Sequence, residues 1–257
     1  MKKIVFPEGN NEFIKQAADQ LSTICEPIFL NNDLDTAAKM LKNHEADAMI
    51  AGIDYSSRDV ILATRDTIGL SENQKTFSSL FYYEFPDGTH LITSDGATCK
   101  NPTAEQLADI IILVHAAAKK LLSDKPKIAI LSFSTFGSGG KDPFIDKTAE
   151  AIQIVRSKNP DILVDGEMQL DAAMNPRIGK KKSPDSQVAG QANVLITPDI
   201  NSGNILYKSL EHFAKATVAG PILLGFDAPV SDLSRGSTSE DILLTTRALL
   251  SLIDSEQ

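Results

Sequence analysis

The sequence is poor in the features that mark several protein classes. It holds only two cysteines, Cys25 and Cys99, in 257 residues. That usage fits a reduced compartment better than a disulfide framework. Its four histidines are scattered, and no cysteine pair stands at ligand spacing, so no metal centre is expected. No apolar run is long enough to cross a bilayer. The opening MKKIVFPEG has two lysines and a short apolar run stopped by Pro7, which reads as a first strand rather than a secretory leader. Positive charge is also scarce. Lysine and arginine number 25 against 34 acids, a formal charge of −9. That balance argues against nucleic acid as the main partner, although a local basic cluster can still hold an anionic substrate. These absences point to a cytoplasmic protein with neither membrane nor nucleic acid as partner.

What is present is ordinary globular material. Hydrophobic residues make up 42% and charged residues 23%, enough for a substantial core in one large or two smaller domains. Short apolar runs alternate with longer helical patterns, so the sequence predicts α/β layers around a mostly parallel sheet. Strands are expected at 3–6, 27–30, 48–51, 127–133, 162–164 and 194–196. A hairpin is expected around Pro86-Asp87-Gly88, with arms 76–84 and 89–94. Helices are expected at 11–22, 35–43, 57–68, 103–122, 147–158, 169–174, 205–213 and 239–253, and a polar, basic loop at 180–185. No internal repeat is visible.

The chemistry concentrates between Asp199 and Asp241. Two polar, glycine-bearing segments, around Gly203 and Gly236, each read as a turn leading into a helix. Ser234-Arg235 precedes a helix start, with Asp241 in its first turn. Helix N-termini attract anions, and an arginine beside one suggests a phosphate or carboxylate ligand. Asp241 has a plain alternative: Ser237 with Glu240, or Thr238 with Asp241, spells a capping box. Ser132, Ser134, Thr135 and the glycines up to Gly140 follow a strand and form either an anion nest or a surface turn. Asn201, Asn204, Tyr207 and Lys208 read as a polar wall in which Asn204 caps a helix and Lys208 lies one turn in. Asp165, Glu167, Gln169 and Asp171, like His44, His90 and His115, read as structural or solvated.

Several segments carry a family resemblance: LSFSTFGSGG at 131–140, VDGEMQLDAAMNP at 164–176, SPDSQVAGQANVLITPD at 183–199, PDINSGNILYK from Pro198, and GPILLGFDAPVSDLSRGSTSED from Gly220. In this order they resemble the phosphate acetyl/butyryl transferases, the phosphotransacetylase family, from about Lys127 onward. The resemblance implies two three-layer α/β domains with a cleft between them, of the isocitrate/isopropylmalate dehydrogenase-like type. The first domain would take 1–74 plus 225–257, and the second 75–224. The implied reaction is acetyl-CoA plus phosphate giving acetyl phosphate plus CoA, by direct attack in a ternary complex. Coenzyme A is then a substrate, and no tightly bound cofactor is implied. A homodimer working in acetate metabolism is implied as well.

The motif match assigns Ser234, Arg235 and Asp241 to catalysis. Arg235 would hold phosphate and stabilise the carbonyl oxygen. Ser234 would donate to that oxygen or to the leaving thiolate, and Asp241 would move the thiol proton. Ser132, Ser134, Thr135, Asn201, Asn204, Tyr207, Lys208, Ser56 and Ser57 would bind substrate. The N-terminal part is shorter than in typical members. The family's His-Ser-Thr segment is occupied here by Tyr55-Ser56-Ser57, and two family arginines align with Leu62 and His212. Two rivals therefore stay open: the same chemistry on propionyl- or butyryl-CoA, and a catalytically weakened binding homologue. An oxidoreductase is disfavoured, because no GxGxxG follows the first strand.

Overall fold

The computed structural model describes residues 1–253; positions 254–257 of the expected first domain lie outside the described residues. Ten strands form: β1 (Lys3–Phe6), β2 (Glu26–Phe29), β3 (Ala48–Ala51), β4 (Ser78–Glu84), β5 (His90–Ser94), β6 (Lys127–Leu131), β7 (Leu163–Met168), β8 (Val194–Ile196), β9 (Thr217–Leu224) and β10 (Val230–Asp232). The α-helices are α1 (Glu12–Ile24), α2 (Leu34–Lys42), α3 (Ser57–Ala63), α4 (Ala104–Leu121), α5 (Pro143–Lys158), α6 (Leu170–Met174), α7 (Pro176–Lys182), α8 (Ile200–Ala214) and α9 (Ser239–Ile253). A π-helical turn, Thr64–Ile68, extends α3. Two compact units result: 1–83 with the chain from 215 onward, and 84–214.

In the first unit the strands run in the order β2-β1-β3-β10-β9-β4. β1 pairs in parallel with β2 and β3, and β10 in parallel with β3, while β9 runs antiparallel to β10. The runs IVF in β1 and AMIA in β3 are wholly buried, as strands covered on both faces must be. Leu34, Leu41, Val60 and Ile68 from the helices join Val5, Met49, Leu223 and Val230 in one buried cluster. The C-terminal helix α9 packs on β9 and α1. The carboxyl ends of β1, β3 and β10 therefore lie side by side. Open parallel sheets bind ligands at that edge.

In the second unit, β5, β8, β6 and β7 lie in that order, all parallel. α4 begins at a reciprocal capping box of Thr103 and Gln106, and α4 and α5 pack together. The predicted stripe Leu107, Ile110, Ile111, Val114 and Ala118 is the face that α4 buries.

Several local expectations change. α8 starts at Ile200, not near 205, because Asp199 is the cap: its carboxylate accepts from the Ser202 N–H (2.9 Å) and hydroxyl (3.1 Å). Asn204 therefore sits inside the helix. Gly203 is a helical contact residue rather than a turn; a Cβ there would stand 2.0 Å from the Asp95 carbonyl oxygen. The expected loop 180–185 is largely helix α7, started by Pro176 and capped by Asn175. Neither β9 nor β10 was foreseen as a strand.

Candidate functional site

In the first unit the site residues gather on the segment after β10 and on the adjacent loop after β3. Ser234 follows the strand by two residues, and its carbonyl accepts from the Ser237 N–H (2.9 Å), which closes a tight turn. Arg235 lies on that turn, exposed, with no hydrogen bond or ion pair among the described residues. An exposed guanidinium without a partner on a turn suits an oxyanion ligand.

Asp241 is the contrasting case. It is only 9% exposed, and both carboxylate oxygens are engaged. Oδ1 accepts from the Val218 N–H (2.9 Å), and Oδ2 from the Thr238 N–H and hydroxyl (each 2.8 Å). The Asp241 N–H in turn donates to Thr238 Oγ1 (3.3 Å). Of the two capping boxes the spacing allowed, the structure has Thr238 with Asp241. Asp241 also ties α9 to β9, so taking a thiol proton would compete with three donors.

The loop after β3 is set by a buried acid. Glu8 accepts from the N–H groups of Gly52 (2.9 Å), Asp54 (2.8 Å) and Tyr55 (2.7 Å). Burial raises the Glu8 carboxyl, while these three bonds oppose the rise. Ser56 caps α3 and gives its hydroxyl to Asp59 (2.6 Å). Ser57, the first helical residue, is exposed. Beside this loop the carboxyl of Asp232 is buried with neither oxygen hydrogen-bonded. Burial, reinforced by the Glu8 charge and partly offset by the Ser57 hydroxyl, pushes it up to about 7. The sequence reading passed over both acids. The signal was an aspartate standing two residues before Ser-Arg-Gly.

In the second unit, the Ser/Gly loop after β6 spends its donors on itself. Ser134 N–H goes to Ser132 Oγ, Thr135 N–H to Ser138 Oγ, Gly139 N–H to Ser134 Oγ and Gly140 N–H to the Gly137 carbonyl. The organiser is Glu167, buried, which accepts from Ser134 Oγ (2.7 Å) and the Gly137 N–H (2.8 Å). The loop is therefore a folded corner built on a carboxylate, and it does not present a row of free N–H groups as a nest would. Thr135 Oγ1 accepts from the Gln169 N–H (3.0 Å).

On α8, Asn204 reaches the Gly96 carbonyl (3.4 Å), Tyr207 is buried, and Asn201 is exposed. Lys208 pairs with Glu211 (3.1 Å) and lies over the Tyr207 ring, 4.4 Å from its centroid. Burial works against the Lys208 charge, but Tyr207 and Glu211 outweigh it and raise the ammonium group. Among the acids read as structural, Asp165 accepts from Ser186 Oγ (2.6 Å), and Lys182 bridges Gln169 (2.6 Å) and Asp171 (3.3 Å). Among the described residues no three His, Cys, Asp or Glu side chains gather as metal ligands would.

The sequence pattern of the phosphate acetyl/butaryl transferase family matches residues 27–249. The chain belongs to that family. It is 42% identical to the phosphate acetyltransferase of Clostridium acetobutylicum over 212 residues, 80% of this chain and 63% of that one. It is also 42% identical to the phosphate acetyltransferase of Treponema pallidum, over 83% of this chain and 66% of that one. The chain thus spans just under two thirds of the length of these curated relatives. Among solved structures, a phosphotransacetylase from Streptococcus pyogenes superposes with a TM-score of 0.87 at 32% identity, covering 98% of this chain and 94% of that one. A Salmonella typhimurium structure titled a 4-hydroxythreonine-4-phosphate dehydrogenase shares the fold alone, with a TM-score of 0.56 at 11% identity, over 98% of this chain and 99% of that one. The α/β, dehydrogenase-like fold class read from the sequence is the one found.

Proposed function

We propose that this chain is a phosphate acyltransferase that moves an acetyl group reversibly between coenzyme A and inorganic phosphate. Family membership supplies the reaction class. The single observation that carries the reading to this chain is Arg235, exposed and unpaired on the turn after β10. In this reading the attacking phosphate oxygen forms a bond to the thioester carbon, and the C–S bond breaks. The proton carried by phosphate ends on the CoA sulfur, so acetyl phosphate and the thiol leave with charge balanced. Arg235 holds the phosphate and the carbonyl oxygen as it gains charge, and Ser234 donates to that oxygen. Asp241 moves the thiol proton at the expense of its Thr238 contacts. Ser56 and Ser57, on the adjacent loop of the same unit, add further substrate contacts, and the two compact units serve as the two domains of the family fold.

One observation favours a weaker or altered activity as the second reading. Leu62, where an arginine was expected, lines a groove with Asp33, Asp35, Asp59 and Asp66. That groove repels an anionic substrate where the family places a cation. A longer acyl group, or a binding role, would follow.

A homodimer belongs to the same proposal. An apolar cavity of about 650 Å³ in the second unit is lined by Leu170, Met174, Leu206 and Leu210. Ile205 and Phe213, the latter 86% exposed, lie on the same helix, and of α8 only Gly203 and Tyr207 are fully buried. An apolar helix so little covered supports a contact with a second copy. A cytoplasmic location is proposed too; no helix among the described residues is long and apolar enough to cross a membrane.

The test is CoA-dependent thioester formation from acetyl, propionyl and butyryl phosphates. Robust turnover on acetyl phosphate is expected. Folded protein that turns over none of the three contradicts the enzyme reading.

A further inference from the structure

We infer that Glu8 is a positioning residue for the anion site of the first unit: its buried carboxylate locks the loop after β3 in the shape that supports the turn carrying Ser234 and Arg235. The inference rests on the acyltransferase reading, in which Arg235 holds the substrate anion.

The geometry runs from one contact to the next. Glu8 follows β1 and is fully buried. Its backbone is fixed on both sides. It bridges to Asn31, its carbonyl accepts from the Asn11 N–H (2.9 Å), and the Gly9 N–H donates to the Leu30 carbonyl (2.9 Å). Its side chain then reaches the end of β3. Oε2 accepts from the Gly52 N–H (2.9 Å), and Oε1 from the N–H groups of Asp54 (2.8 Å) and Tyr55 (2.7 Å). Gly52 is the pivot. It has φ +102°, and a Cβ on it would stand 2.8 Å from both the nitrogen and the oxygen of Leu233. The Leu233 N–H donates to the Ala51 carbonyl (2.6 Å), so the two strand ends are joined at this point. Ser234 and Arg235 are the next two residues, and the Ser237 N–H closes their turn on the Ser234 carbonyl (2.9 Å). Glu8 sets Gly52, Gly52 packs on Leu233, and Leu233 opens the turn that presents Arg235.

The chemistry calls for an acid here. Three N–H donors converge on two oxygens. A carboxylate only accepts, whereas an amide of the same length turns a donor toward one of them. Burying a carboxylate is costly, and the three bonds offset that cost only while the loop keeps this one shape. The acid therefore selects a conformation as well as stabilising it. Misplacing a group beside the reacting atoms by about 1 Å costs about 10²-fold in rate. Arg235 has no side-chain partner of its own to hold it, so its placement depends on the turn beneath it.

The experiment measures kcat/KM for acetyl phosphate in CoA-dependent thioester formation, well below the unfolding temperature, in the parent, Glu8→Gln, Arg235→Ala and the double variant. Thermal shift by inorganic phosphate is read in parallel, and it makes the same comparison where turnover is too low to measure. Glu8→Gln keeps an acceptor for Asp54 and Tyr55 and turns its amide N–H onto that of Gly52, so it strikes the pivot. Its kcat/KM is expected to fall by about tenfold to hundredfold. In the Arg235→Ala background the same change is expected to cost less than about twofold, because the group it positions is gone. A merely structural Glu8 would lower the unfolding temperature and leave kcat/KM of the folded variant near the parent's. That result overturns the inference, as does an equal loss in both backgrounds. If Glu8→Gln does not fold, Glu8→Asp, which keeps the charge one methylene shorter, is put through the same two comparisons. Amide exchange of the parent decides without a variant: phosphate is expected to slow exchange at Gly52, Asp54 and Tyr55 together with Gly236 and Ser237, and protection confined to the last two overturns the inference. No thioester from a parent that keeps its phosphate-induced shift sinks the acyltransferase reading, and the variants' shifts then decide Glu8. No turnover and no shift contradicts both.

Discussion

Two serine- and glycine-rich loops leave the carboxyl ends of strands, one in each unit, and they treat their polar groups in opposite ways. The loop after β6 closes on itself. Its N–H groups and the Ser134 hydroxyl are taken up locally, and Glu167 Oε1 accepts from both Ser134 and Gly137. The end of β10 and the turn beyond it leave two groups unmatched: Asp232, the last strand residue, in the interior and Arg235 in solvent. A buried polar group without a partner destabilises a fold, so its retention calls for an explanation. The first loop is explained by its own hydrogen bonds. The second is not closed by hydrogen bonds of its own, and the proposed site is centred on it.

Breaking each side of this contrast gives different readouts. The largest expected effect is on Asp232. Its folded carboxyl is raised to about 7 from an ordinary 3.8. Its neutral form is therefore the one the fold favours: the contribution is fully present below the unfolded value and lost as pH rises through about 7. The stability of Asp232→Asn relative to the parent should improve between about pH 4 and about pH 8 by up to about 4 kcal/mol, measured by urea unfolding. A pH-independent difference would show that the carboxyl is not buried neutral. Next is Glu167→Gln. It weakens two charge-assisted bonds in the saturated loop and should lower stability by about 1–3 kcal/mol, seen in the same assay, with a rise in local amide exchange at Gly137 and Gly139. No change would mean that the corner does not depend on the acid. Smallest is Asp241→Asn, expected to lose about 1 kcal/mol as the capping box weakens. If turnover falls far more than stability, Asp241 acts on substrate as well as on the helix; a loss confined to stability leaves it as the cap.

Much of this was legible before any coordinates. Apolar runs identified β1, β3, β6 and β8, since strands buried on both faces have little choice of composition. The α4 stripe followed from periodicity; the Thr103–Gln106 capping box at its start was found only in the structure. β10 was not legible: it has three residues, two of them polar, and is held by pairing with β3 and β9 rather than by its own pattern. Gly203 misled because glycine serves turns and close contacts alike, and only the neighbouring Asp95 carbonyl distinguishes them. Serine-arginine before a helix was legible as a candidate anion site, and Arg235 lies exposed on the turn there. The Thr238–Asp241 cap was among the spacings the sequence offered; that Asp241 also takes the Val218 N–H, and that Asp232 was the unmatched acid, depended on which donors tertiary packing brought to each carboxylate. No spacing rule reports that.

The central claim is that Arg235 is unpaired because it awaits the substrate anion. Turnover of Arg235→Ala in CoA-dependent thioester formation, with its thermal unfolding measured alongside, tests this most directly. The account predicts a loss of about 10²–10³-fold in turnover with unfolding unchanged; near-parental turnover from the folded variant would contradict it.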